Sequence, residues 1–145
     1  MSFATYDFSQ VNVIVGGVPI SGFSDGAAVT VDFDEQQFTK VTGADGLTTR
    51  SKSNNYAGSI TLSMQQSSSS NDYLSSLWSA DRLNNAGVVP VLIKDQSGRT
   101  LWTAENAWVQ GLPSQEFGKE LASREWVLDC DALTGFLGGN QPLLG

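Results

Sequence analysis

The sequence predicts a mainly β protein: an antiparallel β-barrel or sandwich with one packed α-helix, an extended loop and a C-terminal arm. Short apolar runs with a period of two recur along the chain, separated by Gly, Asn, Asp and Ser, which is typical of antiparallel strands joined by turns. A single stretch near residue 75 has its apolar residues at helical spacing instead. The 145 residues fit one domain, residues 1–145, with a core of ordinary size.

The first predicted element is a hairpin. Residues 11–15, apolar except for Asn12, and the apolar residues 18–20 flank Gly16-Gly17, a pair that readily adopts the positive φ of a two-residue turn. A phosphate-binding loop would lead into a helix whose N-terminus meets the anion. Here the glycine pair leads into another strand-like run, so it is interpreted as a turn.

The stretch from residue 28 to residue 64 carries the clearest alternation. Residues 36–42 come so soon after residues 28–34 that the two runs are expected to form a tight hairpin near 34–37. Residues 58–64 alternate again. The apolar faces of the first and last run hold Val29, Val31, Phe33, Ile60, Leu62 and Met64, and the polar faces hold Thr30, Asp32, Asp34, Ser59, Thr61 and Ser63. Residues 43–55 are polar, rich in turn formers and too long for a simple hairpin turn, so a long loop is expected there.

The predicted helix covers residues 71–84. Asn71 or Ser70 can cap its start, and Asp72 in the first turn complements the helix dipole. Its apolar stripe consists of Leu74, Leu77 and Trp78. Gly87 is expected to end the helix in a left-handed cap.

Strands return after the helix. Pro90 within residues 88–94 indicates the start or edge of a strand, the runs 99–103 and 105–112 come next, and residues 125–130 are the last predicted strand. Cys130 alternates with two apolar residues and is expected to face the core.

Residues 131–145 have neither a helical nor a strand period. This C-terminal arm is expected either to pack on its own domain or to dock on a neighbouring subunit, and the sequence leaves both alternatives open. Its apolar residues, the candidate docking residues, are Leu133, Phe136, Leu137, Leu143 and Leu144.

The composition argues against several classes of function. The formal net charge is −7, and the eight Lys and Arg residues are scattered, whereas nucleic-acid readers carry a basic patch. The N-terminus lacks a basic segment followed by an apolar one, and no run approaches the ~20 apolar residues of a membrane span. We therefore expect a protein made in a cytoplasm.

No catalytic, metal or cofactor site is expected. The chain has no His, so a Cys/His zinc site and a His-activated serine are both excluded. Asp32, Asp34 and Glu35 form a carboxylate cluster, but alternation points two of them outward and no further ligand group or base lies near in sequence. Asp45-Gly46 lacks the later carboxylates of a calcium loop.

One stretch resembles a known family. The runs FTKVTGADGLTTRSKSNN and GSITLSMQQSSSSNDYLSSL, from Phe38 to Leu77, resemble the tail tube proteins of contractile-tailed bacteriophages, whose fold is related to that of type VI secretion ring proteins. The resemblance implies hexameric rings stacked into a hollow tube for genome delivery, with a contractile sheath around it. It implies the sheath, baseplate and tail-terminator proteins as partners, a tape-measure protein in the lumen, DNA in transit only, and a place in the virion tail after assembly in the host cytoplasm.

Within that arrangement the sequence suggests three sets of functional residues. Thr30, Asp32, Asp34, Ser59, Thr61 and Ser63 would line the channel, because hydroxyls and carboxylates do not hold phosphates. The loop residues Asp45, Arg50, Lys52, Asn54 and Asn55 would contact the next ring, and the arm would dock on a neighbour. The alternatives are a type VI secretion-like hexameric ring protein and a monomeric β-sandwich binding module.

Overall fold

The computed structural model describes residues 5–140. Its elements in chain order are a 3₁₀ turn (Phe8–Gln10), β1 (Val11–Val15), β2 (Val18–Pro19), β3 (Val29–Phe33), β4 (Phe38–Thr42), β5 (Thr48–Lys52), β6 (Gly58–Gln65), α1 (Ser70–Asn84), β7 (Val89–Asp95), β8 (Leu101–Val109), β9 (Ser123–Cys130) and β10 (Leu133–Phe136). In this part of the chain no helix is long and apolar enough to cross a membrane.

Eight strands form one antiparallel sheet. Its order is β2-β1-β7-β8-β9-β6-β3, and β10 pairs with the first half of β8. The strands β4 and β5 pair only with each other, as a separate two-stranded sheet. The prediction of a mainly β, antiparallel fold with a single helix is confirmed.

The core lies on one side of β6 and β9. Both strands alternate as predicted, with every second side chain removed from solvent. The buried side chains of this pair are Ile60, Leu62, Met64, Trp126, Leu128 and Cys130. The core-facing position predicted for Cys130 is therefore confirmed.

The first hairpin also matches its prediction. Gly16 and Gly17 have φ values of +58° and +82°, and β1 pairs with β2 across them, with Val15 opposite Val18. Glycine adopts the left-handed conformation at no steric cost, which suits both positions of this two-residue turn.

The helix is fastened to the sheet at its first turn. The Trp126 indole Nε1 donates to Asn71 Oδ1 at 2.9 Å, and Asn71 Nδ2 donates to the carbonyls of Gln65 and Ser68 at 2.9 and 3.0 Å. Close by on the same turn, Tyr73 donates its hydroxyl proton to the Val15 carbonyl at 2.9 Å. Leu74 is fully buried beneath these contacts, and Leu77 and Trp78 pack against the core while partly buried.

The end of the helix differs from the prediction. Asn85, with φ 54°, adopts the left-handed conformation, and its N–H points to the carbonyls of Ala80 and Asp81. Asn tolerates this conformation because its short polar side chain can hydrogen-bond locally. Gly87 has another role: a Cβ at this position would meet the Leu77 carbonyl and the Asp81 side chain.

The predicted hairpin near residues 34–37 is wrong. The strand β3 pairs with β6, with Asp32 opposite Ser59, while residues 36–42 contain β4, which pairs with β5. Alternation identifies a strand and its faces but carries no information about its partner.

The expected long loop at residues 43–55 is also wrong. Its second half contains β5, and only residues 43–47 form a turn. All ten residues of β4 and β5 are exposed. A hairpin with no buried face shows no alternation of apolar and polar residues, so periodicity does not reveal it.

Two further strands depart from the prediction. The runs 99–103 and 105–112 are parts of one strand rather than two, because β8 continues without a break from Leu101 to Val109. The arm begins with β10, whose Leu133 is buried in the core of its own domain, so Leu133 is not a docking residue.

Pro90 lies at the start of β7, at a bulge where the β7–β8 register shifts between Val89 and Val91, which is where a sheet tolerates proline.

Leu74→Ala is expected to lower the free energy of unfolding by about 2–5 kcal/mol, because the truncation removes buried surface and leaves a cavity. Denaturant unfolding followed by tryptophan fluorescence measures the change. Leu83→Ala is the matched control, since Leu83 belongs to the same helix and is 78% exposed; its effect is expected within about 0.5 kcal/mol. Equal effects of the two substitutions would contradict the packing of α1 through Leu74.

Candidate assembly surfaces

The outer face of β3 and β6 collects the predicted channel-lining residues. Asp32 lies opposite Ser59, and Thr30 lies opposite Thr61. The ladder continues at both ends, where the Asp34 N–H donates to the Ala57 carbonyl and the Ser63 N–H donates to the Ala28 carbonyl. Strand alternation places all six side chains on the side of the sheet away from the core, so the structure brings together Thr30, Asp32, Asp34, Ser59, Thr61 and Ser63.

The same face continues onto β9 with residues that sequence reasoning missed. Asp129 lies opposite Ser59, and Glu125 lies opposite Ser63, while the flanking positions Leu128 and Cys130 point into the core. The same period of two that buries Leu128 and Cys130 places Glu125 and Asp129 on the outer side. We call the outward positions of β3, β6 and β9 the polar face.

Carboxylates concentrate at one end of the polar face. Burial, and to a smaller extent the negative charges of Asp129, Asp131 and Asp34, raise the pKa of the Cys130 thiol to about 11. Cys130, which lies between Asp129 and Asp131 in sequence, pairs with Gly58, and the Asp34 N–H donates to the Ala57 carbonyl. All three carboxylates therefore belong to the Gly58 end of β6. The Asn106 side-chain amide donates to Asp131 Oδ2 at 3.0 Å.

The strands β4 and β5 form a projecting hairpin with one cationic side. Lys40 lies directly opposite Arg50, and Phe38 lies opposite Lys52. The Arg50 guanidinium lies over the Phe38 ring, 4.7 Å from its centroid, a cation–π contact. We call the side that holds Lys40, Arg50 and Lys52 the basic side of the hairpin.

The other predicted loop residues belong to the ends of this hairpin. At its tip, Asp45 Oδ1 accepts a hydrogen bond from the Leu47 N–H at 3.1 Å. At its base, Asn55 Oδ1 accepts from the Ala57 N–H at 3.1 Å, and the Ser53 hydroxyl donates to the Glu35 carboxylate. Asn54 is exposed beside them. Asp45 and Asn55 therefore stabilise local turns through their side-chain hydrogen bonds, whereas Arg50 and Lys52 are exposed to solvent.

The arm is held on its own domain as far as Asn140. Asp95 Oδ1 accepts hydrogen bonds from the Ser97 N–H and hydroxyl at 2.9 and 2.5 Å, and Asp95 Oδ2 accepts from the Asn140 amide at 2.9 Å. The Thr100 hydroxyl donates to the Gly138 carbonyl at 3.0 Å. Phe136 and Leu137 are exposed. The predicted docking residues Leu143 and Leu144 lie outside the described residues.

These surfaces present groups that are suited to contact with other proteins. Among residues 5–140, no three side chains of the metal-binding types cluster. The groups presented to solvent are carboxylates, hydroxyls, three cations on one hairpin and isolated apolar side chains, which together suit binding between protein surfaces.

Comparison with known proteins decides the family. The family described as bacteriophage PhiTE tail tube protein matches residues 3–138. The chain belongs to this family of phage tail tube proteins. The tail tube protein is also 34% identical over 146 residues to structural protein ORF10 of Pseudomonas phage KPP10, an alignment that covers 95% of this chain and 84% of that protein.

Solved structures share the fold of the tail tube protein. A chain of the cryo-EM structure of the anti-feeding prophage cap, the AFP tube terminating cap, superposes with a TM-score of 0.66 at 18% identity, covering 94% of this chain and 93% of that one. A chain of the PVC sheath/tube terminator in its extended state gives 0.64 at 18% identity, covering 93% and 99%. A chain of the PVC sheath-tube complex gives 0.57 at 18% identity, covering 91% of each.

Acid is expected to loosen the arm. Hydrogen bonds from Ser97, and further from Asn140, hold the pKa of Asp95 below its usual value although burial opposes them. Because the pKa of Asp95 is lower in the folded than in the unfolded state, ionised Asp95 stabilises the folded protein at pH values above about 3.9, the unfolded-state pKa. This stabilisation is lost as the pH falls through the folded-state pKa. The difference in melting temperature between the wild type and Asp95→Asn is therefore expected to shrink as the pH is lowered from about 5 to about 2. A difference that stays constant over this range would contradict the assignment.

Proposed function

We propose that this tail tube protein assembles into hexameric rings that stack into a hollow tube, through which the phage genome passes. The observation that carries the proposal is the polar face, which has hydroxyls, carboxylates and one amide at its outward positions on β3 and β6, and Glu125 and Asp129 on either side of Val127 on β9. None of these positions holds Lys or Arg. A wall for DNA passage should have this chemistry, because every cationic contact to phosphate releases counterions and adds affinity that slows transit.

The two sides of the sheet support one orientation of the subunit. The polar face lies on one side of β6, and the core and α1 lie on the other, where Leu74 and Trp126 are buried. With the polar face turned to the lumen, α1 is turned outward. A ring of six chains would carry a formal charge of −42, six times −7, which repels the passing DNA.

The outward side would then meet a contractile sheath. The similar folds belong to chains of a sheath-tube complex and of tube and sheath terminators, and we extend these partners to this protein. The proposed partners are thus further copies of the chain, a sheath protein, tail-terminator and baseplate proteins, and a tape-measure protein in the lumen. The proposed location is the virion tail, after assembly in the host cytoplasm.

The hairpin and the arm would connect subunits. The hairpin has no contact face on its own domain, which suits a role in holding one ring on the next. Its predicted contact residues remain Asp45, Arg50, Lys52, Asn54 and Asn55. Phe136 and Leu137, exposed at the end of β10 and just beyond it, remain the described candidates for contact with a neighbour.

Negative-stain electron microscopy of the purified protein tests the function. We expect long hollow tubes of constant diameter, formed by repeated head-to-tail contacts. Isolated rings would favour the type VI secretion-like alternative, and monomers would favour a free β-sandwich binding module. Either of these results would contradict the proposed tube.

Thiol labelling of assembled tubes tests the assignment of the lumen. Thr30→Cys is expected to react with a bulky maleimide at least about tenfold more slowly in tubes than in disassembled protein, because Thr30 is exposed in the subunit but would be enclosed by the wall. Ser79→Cys, exposed on α1, is the matched control and is expected to react at similar rates in both states. The native Cys130 is buried and contributes little background. Equal protection at the two positions would contradict the orientation.

A further inference from the structure

The hairpin and one other exposed element lie at opposite ends of the same strands. The hairpin leaves the sheet between Phe33 and Gly58, which pair at one end of β6. At the other end Gln65 pairs with Ser123, and the connection from β8 to β9, residues 111–122, lies there. We call this connection the far-end loop.

The far-end loop presents exposed apolar side chains together with two glutamates, Glu116 and Glu120, and one cation, Lys119. Phe117 is 78% exposed and Leu121 is 74% exposed, a high exposure for large apolar side chains so close in sequence. Beside them lies a concave notch of about 530 Å³, and the residues that line it include two glutamates and neither Lys nor Arg. The notch is lined by Pro113, Ser114, Glu116, Ala122, Ser123 and Glu125.

The hairpin presents the complementary groups. Val41 is 69% exposed and Leu47 is 68% exposed, while Lys40 and Arg50 stand directly opposite each other, a like-charge pair that destabilises a ladder unless an anion lies near. Three cations and Asp45 give residues 38–52 a formal charge of +2, and since the whole chain carries −7, the remaining residues carry −9. The charge of the subunit is thus separated between the hairpin and the body.

We propose that the hairpin of one copy docks on the far-end loop of a second copy in the next ring, with its basic side in the acidic notch. Leu47, at the tip of the hairpin, would cover Phe117 and Leu121. The proposal rests on the stacked tube proposed above and names the surface that receives the hairpin. Such a contact joins two different surfaces of the subunit. Each ring therefore keeps free hairpins on one side and free notches on the other, so that further rings can be added. Complementary charge fixes its register.

Two charge-reversed proteins test the pairing. The hairpin variant carries Lys40→Glu and Arg50→Glu, and the notch variant carries Glu116→Lys and Glu125→Lys. In the hairpin variant both docking surfaces are acidic, and in the notch variant both are basic, so neither is expected to form tubes alone. Mixed at equal concentration they offer acidic hairpins to basic notches and basic hairpins to acidic notches, so the mixture is expected to form tubes.

Electron microscopy and sedimentation read out the result, and thermal melting verifies that each variant is folded. A control with Asp72→Lys and Glu105→Lys makes the same change of net charge at two exposed positions outside the notch and is expected to form tubes alone. The uncharged variant Glu116→Gln with Glu125→Gln guards against misfolding of the reversed notch, and it is expected to form shorter tubes than the wild type.

The outcomes separate this inference from the proposed function. Failure of the wild type to form tubes contradicts the tube itself. Tubes from the wild type and from either reversed variant alone overturn the hairpin-to-notch contact, and so does a mixture of folded variants that forms none. Loss of tubes in the hairpin variant, with normal tubes in both notch variants, shows that the hairpin docks on another surface and also overturns the inference.

Discussion

The double pairing of β6 is the constraint on which the rest of the structure depends. This strand is hydrogen-bonded to β3 along one edge and to β9 along the other, so its period of two is imposed on both neighbours. A shift by one residue would expose Ile60 and Leu62 and turn the hydroxyls of Ser59 and Thr61 into the core. The apolar core and the polar face are thus two consequences of one register.

The helix depends on the same strand through a single side chain. Asn71 accepts from the Trp126 indole and donates to the carbonyls at the end of β6 and just after it, in a place where an unpaired polar group would be costly. A fully satisfied buried network specifies one arrangement and resists alternatives. Asn71 therefore fixes where α1 begins and which of its sides meets the sheet, and a simple apolar contact would fix neither.

Sequence reasoning succeeded where burial imposes a period and failed where it does not. The sequence predicts the strands β6 and β9 and the apolar stripe of α1 because each of them has one side buried in the core. The same periodicity also identifies their polar sides. The hairpin of β4 and β5 has no buried side, and only Leu133 is buried among the four residues of β10. Neither element therefore shows a regular alternation of apolar and polar residues in the sequence. The polar face was predicted on two strands, but its extension to Asp129 required the pairing of β6 with β9, which no local pattern encodes.

Burial of the thiol has a consequence for the chemical durability of a tail. Cys130 is the single cysteine of the chain, and a pKa of about 11 leaves roughly one thiol in 10⁴ ionised at neutral pH. Oxidants and disulfides react with the thiolate, and a protein packed in many copies would multiply any accessible thiol into many sites of cross-linking. Burial of Cys130 therefore protects the thiol of each copy from oxidation and from cross-linking to another copy.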